Sequence, residues 1–288
     1  MNLLVIICII LLLLVLILSI SFYDTHHFVV RKYQIKSAKL KKKIRICHLS
    51  DMHGVIYGKD NSRLMDEIDR LKPDIIISSG DVISAGNPVK TWENERVFFE
   101  NLAQKYPVYM AIGNHEYRTK KMIGDYGDFY KKFSDEIRSM GICLLENEST
   151  FLEEFGIRIF GIEIAHYFFG HFFKHPMEDE YMERMIGSSD TELFNILIAH
   201  NPMYFEEYSK WGADLTMSGH VHGGIMRLPF LGGVLSPALI LFPKYDGGKF
   251  SIEEKSMILS RGLGTHTINV RIFNPGELVI TDLEPKEI

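Results

Sequence analysis

The chain has 288 residues, enough for one large domain or two ordinary ones. With 46% hydrophobic and 24% charged residues, it is neither a disordered chain nor a multi-span membrane protein. Net charge is −5, but residues 1–43 hold seven Lys/Arg against Asp24, which leaves the rest at −11; so acidic a body argues against wrapping nucleic acid, and three cysteines are too few for a disulfide framework or a Cys-based zinc site.

From Leu3 to Ile20 the chain runs through eighteen apolar or small residues without a charge. As a helix this reaches about 27 Å, enough to cross a bilayer core. A cleaved signal peptide is the rival reading. No Lys or Arg precedes the run, it exceeds the usual signal core, and Ser19 and Ser21 make a poor cleavage site. Residues 1–23 therefore read as a transmembrane anchor, which makes the chain single-pass in the cell membrane. Residues 24–43 read as a basic juxtamembrane linker with a short edge strand at Tyr33-Gln34-Ile35. Its cations (Arg31, Lys32, Lys36, Lys39, Lys41, Lys42 and Lys43) follow the span and lean the domain toward the cytoplasm. They would also attract anionic headgroups. The side of the membrane stays open.

After the linker, apolar runs alternate with amphipathic helix patterns. Strands are expected at Ile44–Leu49, Asp74–Ser79 and Val108–Ile112, and helices at Asn61–Leu71 and Trp92–Lys105. This β-α-β-α-β order predicts parallel strands with crossover helices. The second half is richer in strands: Ile157–Ile164, Asn195–Ala199, Leu215–Ser218, Ser256–Ser260, Val270–Phe273 and Leu278–Thr281.

Polar residues follow the apolar runs at five strand ends: Asp51 and His53; Asp81; Asn114 and His115; His200; His220 and His222. Ligands gather at the carboxyl ends of strands in open α/β sheets, because the loops converge there. Carboxylates, imidazoles and one carboxamide, without thiolate, suit divalent Mn, Fe, Zn or Co. Seven ligands drawn from these eight residues are too many for one ion and suit two, with an Asp as bridge. Such a pair, about 3.5–4 Å apart, polarises a phosphoryl group and turns a bridging water into hydroxide near neutral pH. Any one of these histidines alone would pass for a core residue; the set would not.

Asp51-Met52-His53, Gly80-Asp81, Gly113-Asn114-His115-Glu116, His200-Asn201-Pro202 and Gly219-His220-Val221-His222-Gly223-Gly224 stand in the order of the calcineurin-like metallophosphoesterases. The resemblance covers residues 44 to about 285 and makes 44–288 the metallophosphoesterase domain. Ser260-Arg261-Gly262-Leu263-Gly264 and Val270-Arg271-Ile272-Phe273-Asn274-Pro275 resemble the tail of the membrane-anchored bacterial branch, which includes enzymes acting on phospholipid-like or UDP-diacylglucosamine substrates. The resemblance implies a four-layer α/β/β/α sandwich, an α/β fold, behind the transmembrane helix. It implies two divalent metal ions, one on Asp51, His53, Asp81 and His222, the other on Asp81, Asn114, His200 and His220. A hydroxide bridging the ions attacks phosphorus in line, and His115, not a ligand, stabilises the phosphoryl oxygens and assists the leaving group.

One position departs from the phosphoprotein-phosphatase branch, where an Asp three residues after the bridging Asp orients the catalytic His. Here it is Ser84, so His115 is expected to act as a hydrogen-bond donor rather than a strong acid. That favours substrates with good leaving groups, and hence a membrane-associated or lipid-linked phosphoester or pyrophosphate. A phosphoprotein phosphatase or general phosphomonoesterase or diesterase is the rival enzyme. A non-catalytic scaffold is the rival of another class, though scaffolds lack several ligands and none is missing here. His48 reads as core or as support for the ligands, and Glu116 as a structural hydrogen-bonding group. The aromatic stretch Ala165–His175 and the apolar stretch Pro229–Pro243 read either as packing or as a lid for acyl chains. The partners expected are a phosphorylated substrate and the membrane, with no nucleic acid; the sequence does not set the oligomeric state.

Overall fold

The structure, a computed structural model, describes residues 3–170, 174–228, 230–235, 241–265 and 269–286. The helices are α1 (Leu3–His26), α2 (Ser62–Leu71), α3 (Pro88–Lys105), α4 (Asn114–Lys121), α5 (Ile123–Tyr126), α6 (Phe129–Ser139), α7 (Tyr181–Ile186) and α8 (Phe205–Trp211). The strands of the first half are β1 (Phe28–Ser37), β2 (Ile44–Leu49), β3 (Ile75–Ser78), β4 (Val108–Met110), β5 (Cys143–Leu144), β6 (Glu148–Leu152) and β7 (Ile157–Gly161). Those of the second half are β8 (Phe194–Ile198), β9 (Leu215–Ser218), β10 (Met226–Leu228), β11 (Gly232–Leu235), β12 (Gly248–Ile252), β13 (Lys255–Leu259) and β14 (Gly276–Pro285).

Two six-stranded sheets result, ordered β1-β14-β2-β3-β4-β5 and β12-β13-β9-β8-β7-β6. Strands β2 to β5 run parallel, as do β7, β8, β9 and β13, so the carboxyl ends of each set open on one edge. Alternation along the strands assigns the layers. Ile44, Ile46, Ile75 and Ile77 of one sheet meet Ile196, Ile198, Leu215 and Met217 of the other. The opposite faces, with Cys47, Leu49 and Ile76, pack on Leu64 and Ile68 of α2, Phe98 and Phe99 of α3, and Phe133 of α6. Leu197 packs with Tyr181 of α7 and Tyr208 of α8. This is the expected α/β/β/α sandwich, in which each fully buried isoleucine contributes about 1.5–3 kcal/mol.

The stretch read as a linker is more ordered than expected. Helix α1 runs to His26, past residue 23, and β1 is a ten-residue edge strand paired in register with β14, not a three-residue one. Its alternating β-branched and aromatic residues favour a pleated strand, and its Arg and Lys blunt the open edge. Several of the cations expected to face lipid are compensated within the domain: Lys39 by Asp214, Lys42 by Glu154 and Lys43 by Glu284. Val270–Phe273 is not a strand. It makes a single bridge, Met226 to Ile272, because Phe273 turns into the left-handed region at φ 54°.

An acidic anchor stabilises the far end of α4. Glu146 accepts from Lys120 at 2.7 Å and from Arg138 at 2.5 Å, and also from Tyr130. Burial pushes its carboxyl up, but these donors prevail and hold it at about 2, below the usual 4.5. A depressed carboxylate stabilises the fold above its unfolded pKa and loses that contribution as pH falls through the folded one. Glu146→Gln is therefore expected to cost about 1–2 kcal/mol at pH 7, allowing for solvent screening, and almost nothing near pH 2. Urea unfolding in detergent at the two pH values checks this.

Candidate metal centre

All seven expected ligands meet at the edge where both sets of parallel strands end. Three groups have their donor atoms within 4.8 Å of one another: Asp51, His53 and His222; His53, Asp81 and His115; Asp81, His200 and His220. Asp81 joins two of these groups, its Oδ2 lying 3.0 Å from His200 Nε2 and 3.8 Å from His53 Nε2. Asp51 Oδ1 lies 3.4 Å from His222 Nε2. Asn114 Oδ1 lies 2.9 Å from His220 Nδ1, which brings the carboxamide into the second cluster.

The backbone that delivers these groups is strained. Asp51, His53, Asp81, His220 and His222 all take positive φ, between 50° and 76°. Such conformations cost of order 1–3 kcal/mol each in non-glycine residues and gather at functional sites. Glycine is required where the loops touch. A Cβ at Gly113 would collide with the Asp81 carboxylate, and one at Gly219 with Ser50 Oγ and the Asp51 carboxylate.

Hydrogen bonds set the imidazole tautomers. His53 Nδ1 faces Ile83 O at 3.1 Å, His200 Nδ1 faces Ser79 O at 2.8 Å and His222 Nδ1 faces Gly264 O at 3.2 Å. A carbonyl can only accept, so each Nδ1 carries the proton and each Nε2 turns a lone pair inward. Two such lone pairs, those of His53 and His222, stand 3.3 Å apart. That approach is repulsive unless a positive charge lies between them, and burial pushes His53 well below its usual pKa, against a proton there. His200 Nε2 is buried and faces Asp81 Oδ2 at 3.0 Å. Burial opposes its protonation, but the Asp81 and Asp51 carboxylates prevail and push it up to about 9, so a proton sits on the Nε2 lone pair until a metal cation displaces it. Burial pushes Asp81 upward, and the imidazoles facing it overcome this to hold it well below the carboxylate range. The donor set thus fits divalent cations, being all nitrogen and oxygen with its lone pairs convergent.

His115 is held differently. The backbone N–H of Ala85 donates to its Nδ1 at 2.8 Å, so Nε2 carries the proton and points to the Asp81 side. This amide orients the ring. The backbone N–H of Ser84 donates to Thr91 Oγ1. Glu116 accepts from the backbone N–H groups of Asp81, Ile83 and Gly113, which ties the Asp81 loop to the start of α4. His48 supports the ligands through a relay: its Nε2 meets Ser79 Oγ at 2.8 Å, Ser79 donates to Ser50 at 2.8 Å, and Ser50 donates to Asp51. Burial pushes His48 down to about 4, so it stays neutral.

Sequence reasoning gave no role to the residues that lock the His222 loop. The Asn274 amide donates to His222 O at 2.8 Å and to Gly224 O at 2.7 Å. Buried Arg271 donates to Arg261 O, Gly262 O and Gly264 O, the last of which orients His222. Their partners are all main-chain carbonyls, which carry no residue signature. Asn274→Ala is expected to weaken metal affinity by about 10–100-fold, the usual effect of removing support behind a ligand. Titration with Mn²⁺ by calorimetry checks this.

The aromatic stretch divides. Phe168 is buried, Tyr167 is exposed, and the Phe169 ring stands edge-on to His220 at 5.0 Å, forming one wall of the site. Residues 171–173, with Phe172 and Phe173, lie outside the described residues, as do Pro229 and 236–240 of the second apolar stretch.

The family model described as calcineurin-like phosphoesterase matches residues 44–224. The chain is 29% identical over 273 residues to an uncharacterised metallophosphoesterase of Aquifex aeolicus, covering 92% of this chain and 95% of that one. It is 24% identical over 194 residues to the phosphodiesterase YaeI of Escherichia coli, covering 67% and 64%. It is 23% identical over 290 residues to the UDP-2,3-diacylglucosamine pyrophosphatase LpxG of Chlamydia trachomatis, covering 82% of each.

Proposed function

Given that the chain belongs to the calcineurin-like phosphoesterase family, and so is a phosphoester hydrolase, we propose that it cleaves a phosphodiester or pyrophosphate bond in a membrane-associated, lipid-linked substrate. The observation that carries the reading is the convergence of imidazole lone pairs on two buried carboxylates, with His53 and His222 Nε2 only 3.3 Å apart. Asp51, His53, Asp81 and His222 would hold one divalent ion, and Asp81, Asn114, His200 and His220 a second, drawn from Mn, Fe, Zn or Co. When bound, such ions polarise phosphoryl oxygens and lower the pKa of a coordinated water toward neutrality.

The chain's own groups do the rest. Strained backbone and Nδ1–H contacts hold the ligands in place before substrate arrives, so little reorganisation is needed at reaction. His115 offers Nε2–H to the phosphoryl or departing oxygen, its other nitrogen being held by Ala85 N–H. Asp81 Oδ1 accepts from the His115 backbone N–H at 2.9 Å, which keeps the donor in register with the carboxylate. A hydrogen-bond donor serves a good leaving group best, and two relatives carry names for diester and pyrophosphate hydrolysis.

Helix α1 is uncharged from Leu3 to Tyr23 and most of its Leu and Ile side chains stand exposed, so it is long and apolar enough to cross a membrane. We take it as a single-pass anchor in the cell membrane.

The test uses the full chain in detergent micelles with Mn²⁺. A UDP-diacylglucosamine-type lipid pyrophosphate and bis(p-nitrophenyl) phosphate are expected to exceed p-nitrophenyl phosphate and a phosphopeptide by at least about tenfold in kcat/KM, a difference of roughly 1.4 kcal/mol in barrier. Preference for the phosphopeptide would overturn the reading.

A further inference from the structure

Residues 225–243 contain one charge, Arg227, in a body that is otherwise strongly acidic. That charge is turned inward. Its guanidinium donates to Gly223 O at 2.9 Å and Asp246 O at 2.7 Å, and lies 3.0 Å from the Asp246 carboxylate. The apolar residues go the other way. At the β10–β11 turn Phe230 is fully exposed and Leu231 is 62% exposed; Leu241 and Phe242, which pair beside β11, are exposed as well. Phe273 is exposed in the neighbouring segment. Phe230, Phe242 and Phe273 sit at φ 68°, 47° and 54°, a conformation unusual for bulky residues.

This patch adjoins the end of α1. The β10 strand bonds to Ile272 along its outer edge, and two residues on, Asn274 N–H donates to Asp24 Oδ2 of α1 at 2.8 Å. Gly276 N–H then donates to His27 O at 3.1 Å. Residues 272–276 thus link the hairpin to the point where the apolar helix leaves the domain, where Phe22 and Tyr23 are also exposed. Contiguous exposed apolar surface marks an interaction site, and aromatic residues gather at membrane interfaces.

We propose that the β10–β11 hairpin is a second membrane contact, which places Phe230 and Leu231 in the same bilayer that α1 enters. The occupant is lipid because residues 272–276 tie the patch to the end of a helix long and apolar enough to span a bilayer. The hairpin follows directly from the Gly219–Gly224 loop that carries His220 and His222, so the contact holds the metal centre at the headgroup level. A phosphorylated amphiphile would then reach the site without leaving its leaflet. This deepens the proposed function and rests on the reading of α1 as a membrane helix.

The test needs no turnover. The full chain, with Cys8 and Cys143 changed to serine and buried Cys47 retained, is placed in phosphatidylethanolamine–phosphatidylglycerol liposomes. Nitroxide labels at Phe230→Cys, Leu231→Cys and Phe242→Cys are compared with Leu12→Cys in α1 and with Glu254→Cys on an exposed turn. Collision with oxygen over a water-soluble nickel complex is expected to be at least fivefold higher at the hairpin labels than at Glu254. Values equal to that of Glu254 at all three hairpin positions overturn the contact, whatever Leu12 reports. Water exposure at Leu12 overturns the spanning helix, and with it a contact in the bilayer that α1 enters.

Discussion

Asp81→Asn is expected to lower hydrolysis of bis(p-nitrophenyl) phosphate by at least about 10³-fold in kcat/KM, roughly 4 kcal/mol of transition-state stabilisation. Bound metal should fall from about two equivalents to one or fewer. The reason is position. Asp81 Oδ2 faces His200 and His53, which belong to different donor groups, so this one carboxylate serves both. Its other oxygen accepts the His115 N–H. Asparagine keeps the shape but removes the charge, and it turns an N–H₂ or a neutral oxygen toward imidazoles whose lone pairs need a cation. Metal analysis alongside the rate separates loss of the ions from loss of the fold. Asp282→Asn, which removes a carboxylate of β14 paired with Arg45 at the start of the neighbouring β2, should leave metal content unchanged. Full metal content and full rate in the Asp81 variant would refute the shared-carboxylate reading.

His115→Ala should act on chemistry instead of on binding. Both metals and KM are expected to stay close to those of the unaltered chain, while kcat falls by about 10²–10⁴, the range for losing a positioned proton donor. The loss should be smaller for an aryl diester than for an alkyl one, because a good leaving group needs less help. A loss independent of the leaving group would instead place the Nε2–H on a phosphoryl oxygen, and no loss would mean that the side chain only packs. The expectation depends on the Ala85 amide, which leaves the ring one way to carry its proton when neutral.

Much of the sandwich was legible in the chain. β2, β3, β8 and β9 are short apolar runs whose alternate residues both find partners, so hydropathy alone marks them as central strands. The elements that escaped are those with weaker patterns. Strand β1 is broken by Arg31, Lys32 and Lys36, which read as linker because an edge strand need bury only one face. Val270–Phe273 has the alternation of a strand, but Arg271 turns its guanidinium onto loop carbonyls and Phe273 leaves the extended region.

At the site the division is sharper. Which residue types could bind a cation, and their place after each apolar run, is a local property of the chain, as is the uniform hydropathy of α1. Periodicity records burial along one dimension, and a polar residue just past a buried strand must emerge at its carboxyl end. What only the packed molecule decided was contact across distance: His53 beside His222, the Ala85 amide on His115 Nδ1, Asn274 under the His222 loop, and Asp24 docked on Asn274. Three of these four use main-chain groups, which every residue possesses alike. No sequence pattern can single them out before the loops are brought together.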